Sequence, residues 1–138
     1  MSKDISMLNI LVVDDSVLMR NNIAAYVTGL GHNISALAEN GIQAVQMCET
    51  LKPDVITMDI TMPDMDGITA ISKIRAFDTD VNIIVATSHG QEEIIMKSLQ
   101  AGAKGYILKP INENNLNEAI KNIYKDDTAN SDEYLLDD

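Results

Sequence analysis

Asp14 and Asp15, then Asp59, Thr87 and Lys109, each stand just past the end of a short apolar run rich in β-branched residues. In an open parallel sheet, positions beyond the carboxyl ends of the strands share one crevice, where such folds bind ligands. The intervals between them correspond to two, one and one strand–helix repeats of roughly 20 to 30 residues. Three carboxylates, a hydroxyl and an ammonium are therefore expected to converge from four strands. Clustered carboxylates resist full ionisation without a cation, because like charges raise one another's pKa. Mg2+ suits such a set: it takes oxygen ligands in near-octahedral geometry and keeps several waters, so two or three carboxylates and one backbone carbonyl suffice. Thr61, two residues beyond Asp59, is placed to offer that carbonyl. With Lys109 added, the charges balance and the site can accept a phosphoryl group. An Asp carboxylate is a competent nucleophile toward phosphorus, while metal and Lys neutralise charge on the equatorial oxygens. Asp59 is the expected phosphoacceptor, and the Thr87 hydroxyl an expected donor to its phosphoryl group.

Taken singly these residues are ordinary. Asp-Asp reads as a helix cap beside a solvated acid, Thr as a β-former, and Lys at a strand end as a solvated charge; their shared register sets them apart. Lys109-Pro110 predicts a tight turn, with a cis bond as one option. Tyr106, in the last strand, is either core or a ring that switches between inward and outward rotamers.

The elements that must position these groups follow from periodicity. Leu8 to Val13, Asn33 to Leu37, Asp54 to Met58, Asn82 to Ala86 and Gly105 to Leu108 read as strands buried on both faces. Met19, Ile23, Val27 and Leu30 mark a helix behind a Ser16 cap, stopped by Gly31. Asn40 with Gln43 starts a second that ends before Pro53. Ile68, Ile71 and Ile74 mark a third, and Gln91 to Ala101, closed by Gly102, a fourth. The fifth carries Leu116, Ala119, Ile120 and Ile123 behind an Asn112 cap. Alternating strands and helices of this length predict a (βα)5 doubly wound α/β domain with a five-stranded parallel sheet.

With 138 residues, 46% of them hydrophobic, there is room for one domain with a real core. The expected division is a lead at 1–7, a domain at 8–125 and an acidic tail at 126–138, either disordered or a frayed extension. Net charge of −11 argues against nucleic-acid partners, which need clustered Lys and Arg. Cys48, the single cysteine, leaves no disulfide framework. Neither a spanning run of about 20 apolar residues nor a signal-peptide core is visible, so a cytoplasmic protein away from membranes is expected.

Ile-Leu-Val-Val-Asp14-Asp15-Ser16 with Met19-Arg20, Asp59-Ile-Thr-Met62-Pro63-Asp-Met65-Asp66-Gly67, Ala86-Thr87, and Ala101-Gly102-Ala103 leading to Gly105-Tyr106-Ile-Leu-Lys109-Pro110 together resemble a response-regulator receiver domain of two-component signalling. The resemblance is to the free-standing chemotaxis type and spans about residues 8 to 125. It implies a flavodoxin-like sheet of order 2-1-3-4-5. It further implies that Asp59 takes a phosphoryl group from a sensor histidine kinase, with Asp14, Asp15, Asp59 and the Thr61 carbonyl holding Mg2+. Lys109 would contact the phosphoryl group, Thr87 would move toward it, and Tyr106 would turn inward, changing a partner surface on the fourth helix, fifth strand and fifth helix. Thr61 and His89 would flank the site and tune phosphoryl lifetime. His89 reads equally well as a solvated loop residue.

Ile95 and Leu99, four apart on the fourth helix, could join Tyr106 in facing a partner, or could be core. Such a chain is expected to be a monomer that catalyses only its own phosphorylation and dephosphorylation. Its output partner would be a flagellar motor switch protein or a histidine-phosphotransfer protein. Service as a phosphorelay intermediate, as a phosphate sink, or as the receiver of a longer regulator are the other readings. Two other classes fit less well: an Asp-nucleophile phosphatase has Asp-x-Asp after its first strand where this chain has Asp14-Asp15, and a flavin carrier needs a hydroxyl-rich phosphate loop there, where this pair would repel the phosphate.

Overall fold

A computed structural model describes residues 6–60, 66–88 and 90–136, with side chains described as far as Lys125. Strands and helices alternate throughout: β1 (Asn9–Val13), α1 (Val17–Gly29), β2 (Asn33–Ala38), α2 (Gly41–Leu51), β3 (Val55–Asp59), α3 (Gly67–Arg75), β4 (Asn82–Thr87), α4 (Glu92–Ala101), β5 (Gly105–Leu108) and α5 (Glu113–Leu136). The strands are parallel and ordered β2-β1-β3-β4-β5, as the alternation and the resemblance predict.

Side-chain alternation along each strand divides the core into two layers. Leu11, Val13, Ile56, Met58, Ile83 and Val85 face one side and pack with Ala44 and Cys48 of α2 and Ala70, Ile71 and Ile74 of α3. Ile10, Val12, Val55, Ile84 and Ala86 face the other, against Ile23 and Val27 of α1 and Leu116, Ile120 and Ile123 of α5. The edge strand β2 departs from the expectation of burial on both faces: only Ala38 is buried. An edge strand has one neighbour, so less of its surface is covered.

Caps set where the helices begin. Ser16 Oγ accepts from the Met19 N–H at 3.2 Å, and Asn112 and Asn115 exchange reciprocal side-chain bonds at 2.8 and 2.9 Å. Asn40 Oδ1 accepts from the Gln43 N–H at 2.8 Å, while Gln43 Oε1 reaches back to the Glu39 N–H at 2.9 Å. The cap of α3 is Asp66, accepting from the Thr69 N–H at 2.8 Å; sequence periodicity starting at Ile68 misses it. Gly31 and Gly102 follow α1 and α4 at φ 91° and 127°, a region that favours glycine. The Lys109–Pro110 peptide is cis. Where the acidic composition predicts a disordered tail or a frayed extension from Asp126, the backbone is helical as far as Leu136. No Gly or Pro interrupts the sequence between Glu113 and Leu136, so nothing in that stretch is a strong helix breaker.

His32 ties the start of β1 to the α1–β2 turn: its Nδ1 accepts from the Leu8 N–H at 3.1 Å. Burial lowers its pKa below the ordinary imidazole value. The unfolded chain therefore binds a proton that the fold resists, so stability falls as pH drops through about 6.5 toward the depressed folded value. Urea unfolding at pH 7 and 5.5 should show a loss in the native chain that His32→Asn, which keeps an acceptor but does not titrate, lacks. Equal losses in both would contradict this role.

Candidate functional site

Parallel register aligns the strand ends. Val13 pairs with Met58, Asp59 with Ala86, and Thr87 with Leu108, so Asp14, Asp59, Thr87 and Lys109 emerge at one rim of the sheet. One carboxylate oxygen from each of Asp14, Asp15 and Asp59 lies within 4.8 Å of the others. Asp14 and Asp59 are buried, at 2% and 4% exposure, and Asp15 is exposed. Lys109 Nζ lies 3.4 Å from Asp59 Oδ1. The four charged residues singled out from the sequence thus form one cluster, and Thr87, buried at the end of β4, is bonded to it through its backbone: the Lys109 N–H donates to the Thr87 carbonyl at 2.7 Å.

The electrostatics call for a cation. Burial is the largest influence on the Asp14 carboxyl and raises its pKa; the Asp59 and Asp15 charges push the same way, against the Ser16 N–H and Lys109. Asp14 Oδ1 accepts from the Ser16 N–H at 2.9 Å, but the buried Oδ2 has no hydrogen-bond partner. A buried carboxylate oxygen without a partner is costly, and a hard divalent ion among three carboxylates supplies one. The donor set fits Mg2+.

The remaining sequence-predicted residues fall differently. Thr61 and His89 lie outside the described residues. Tyr106 is 48% exposed, which removes the core reading and leaves its ring on the outer face of β5. Leu99 is exposed, but Ile95 is buried, contrary to the partner-facing reading of that residue and in line with the core one. Ile94, Ile95, Met96 and Leu99 span a wide arc of α4, and packing turns Ile95 inward while Met96, at 56% exposure, faces out. Sequence reasoning also missed the role of Arg20, whose Nη1 donates to the Asp14 carbonyl at 2.8 Å. The signal was its place in the Met19-Arg20 pair, one turn behind the acids.

This fold, with an acidic pocket at its strand ends and a lysine beside the central carboxylate, defines a class that comparison with known proteins identifies. A family model described as the response regulator receiver domain matches residues 10–121, and the chain belongs to that family. The chemotaxis protein CheY of Thermotoga maritima is 40% identical over 116 residues, covering 84% of this chain and 97% of that protein. The CheY of Bacillus subtilis is 44% identical over 111 residues, covering 80% and 92%. Among solved structures, a CheX–CheY–BeF3–Mg2+ complex from Borrelia burgdorferi matches with a TM-score of 0.80 and 35% identity, over 84% of this chain and 88% of that one.

Proposed function

We propose that the chain is a chemotaxis-type response regulator that accepts a phosphoryl group on Asp59 from the phosphohistidine of a sensor kinase. The observation that carries this reading is the three-carboxylate cluster with Lys109 Nζ 3.4 Å from Asp59 Oδ1. An Asp59 carboxylate oxygen attacks phosphorus, the P–N bond to the donor histidine breaks, and an acyl phosphate forms. The Lys109 ammonium neutralises charge on the phosphoryl oxygens, and the Thr87 hydroxyl donates to one of them. Asp14, Asp15 and Asp59, with the Thr61 carbonyl, would hold Mg2+, which supplies charge neutralisation for the incoming phosphoryl group. The CheY relative whose solved structure carries Mg2+ supports this assignment.

Thr87 then moves toward the phosphoryl group and Tyr106 turns inward, altering a surface of α4, β5 and α5 that includes Leu99. A small electrostatic event of this kind biases a two-state element. The output is a protein contact, with a motor switch protein as the partner. Thr61 and His89, which lie outside the described residues, tune phosphoryl lifetime. No helix among the described residues is long and apolar enough to cross a membrane, in keeping with a cytoplasmic site of action.

Labelled acetyl phosphate with Mg2+ tests the reading. The native chain should take up label, and Asp59→Asn should lose it by about 100-fold or more, because an amide is a poor nucleophile. Equal labelling of both would overturn the assignment.

A further inference from the structure

Arg20 belongs to a motif that the chemistry above leaves without a task. Its side chain is only 12% exposed, a costly setting for a cation unless its donors are engaged. Nη1 donates to the Asp14 carbonyl at 2.8 Å, and Nη2 lies 3.9 Å from Glu39 Oε2 in the β2–α2 loop. The Asp14 N–H donates to the Ala38 carbonyl at 3.1 Å, and Asp14 Oδ1 accepts from Ser16. Every polar atom of Asp14 is thus held except Oδ2, the oxygen without a partner.

The carbonyl that Arg20 holds belongs to the peptide joining Asp14 to Asp15. Fixing that peptide plane fixes ψ of Asp14 and φ of Asp15 together, and so the direction in which the second carboxylate leaves the chain. Without the guanidinium this plane, lying past the last residue of β1, loses the side-chain bond to its carbonyl and is less firmly held, so the two acids can separate. We propose that Arg20 is a positioning residue for the acidic site, setting the separation of the Asp14 and Asp15 carboxylates through the Asp14 carbonyl. The inference rests on the reading of the cluster as an Mg2+ site.

Charge and geometry predict opposite signs. Removing a cation beside a cation site should, by Coulomb's law alone, tighten Mg2+ binding, whereas loss of positioning weakens it. Calorimetric titration of MgCl2 into the full chain reads the sign directly. Arg20→Met is expected to weaken Mg2+ binding about tenfold, the usual loss for an outer partner of a metal ligand. Arg20→Lys keeps a cation that can donate to the Asp14 carbonyl but lacks the guanidinium fork that also faces Glu39, so it should lose less, about threefold. In acetyl phosphate reactions the half-saturating Mg2+ concentration should rise in step, with the rate at saturating Mg2+ within about twofold of native; a general loss of structure would lower that rate. Native or tighter Mg2+ affinity in Arg20→Met overturns the proposal. Should that variant fail to fold, native or tighter affinity in Arg20→Gln, whose side chain is shorter and neutral, overturns it instead. No Mg2+ binding by the native chain would defeat the underlying reading of the site, and this inference with it.

Discussion

Gly67→Ala is expected to destabilise the chain by about 3 kcal/mol and to slow phosphoryl acceptance at Asp59, because no room exists for a single methyl group there. A Cβ on Gly67 would lie 2.6 Å from Ile60 Cα, 2.7 Å from Ile60 Cγ2 and 2.9 Å from the Asp59 carbonyl oxygen. Two of these three atoms are backbone, so no rotamer change relieves the contact. Either the start of α3 or the end of β3 must shift. The two are joined, since the Gly67 N–H donates to the Ile60 carbonyl at 3.2 Å and the Ile60 N–H to Ala86 of β4 at 3.4 Å. Displacement of α3 loses buried contacts of Ala70, Ile71 and Ile74; displacement of β3 moves Asp59, the proposed phosphoacceptor. Denaturant unfolding and the acetyl phosphate rate at saturating Mg2+ measure the two costs. A variant native in both would show that the close approach of α3 to Asp59 is dispensable.

Asp14→Asn should divide stability from function. In metal-free buffer it is expected to stabilise the fold by about 1 kcal/mol, because it removes a buried charge that lies against Asp59 and Asp15. With Mg2+ present the order reverses. The native chain gains stability as RT ln(1 + c/Kd), where c is the free Mg2+ concentration, while the variant, lacking the carboxylate whose Oδ2 has no partner, gains little. Thermal unfolding with and without MgCl2 checks both halves. Equal Mg2+ stabilisation of both proteins would place the ion away from Asp14.

The residues proposed to do the chemistry were legible because they obey a simple rule. Asp14, Asp15, Asp59, Thr87 and Lys109 each follow an apolar run, and parallel register alone brings such positions to one rim. Ser16, Asn40 and Asn112 were equally readable, since a cap is a local device a few residues long. Features that depend on packing between distant segments were not. Ile95 and Leu99 share a helical spacing, but the phase that buries Ile95 and exposes Met96 is decided by what α4 rests on. Arg20 acts through a side-chain bond to a backbone carbonyl, which leaves no periodic trace. The continuation of α5 to Leu136 could not be read from composition, because acidity by itself neither stops nor extends a helix.

The most direct test of the account is the identity of the phosphorylated residue. Borohydride reduces an acyl phosphate of aspartate to homoserine, so reduction after treatment with acetyl phosphate and Mg2+, followed by peptide mass spectrometry, marks the acceptor. Homoserine at position 59 is predicted, with Asp14 and Asp15 intact. Homoserine at either of those acids, or at none of the three, would contradict the assignment of Asp59 as the nucleophile and of its neighbours as the metal-holding pair.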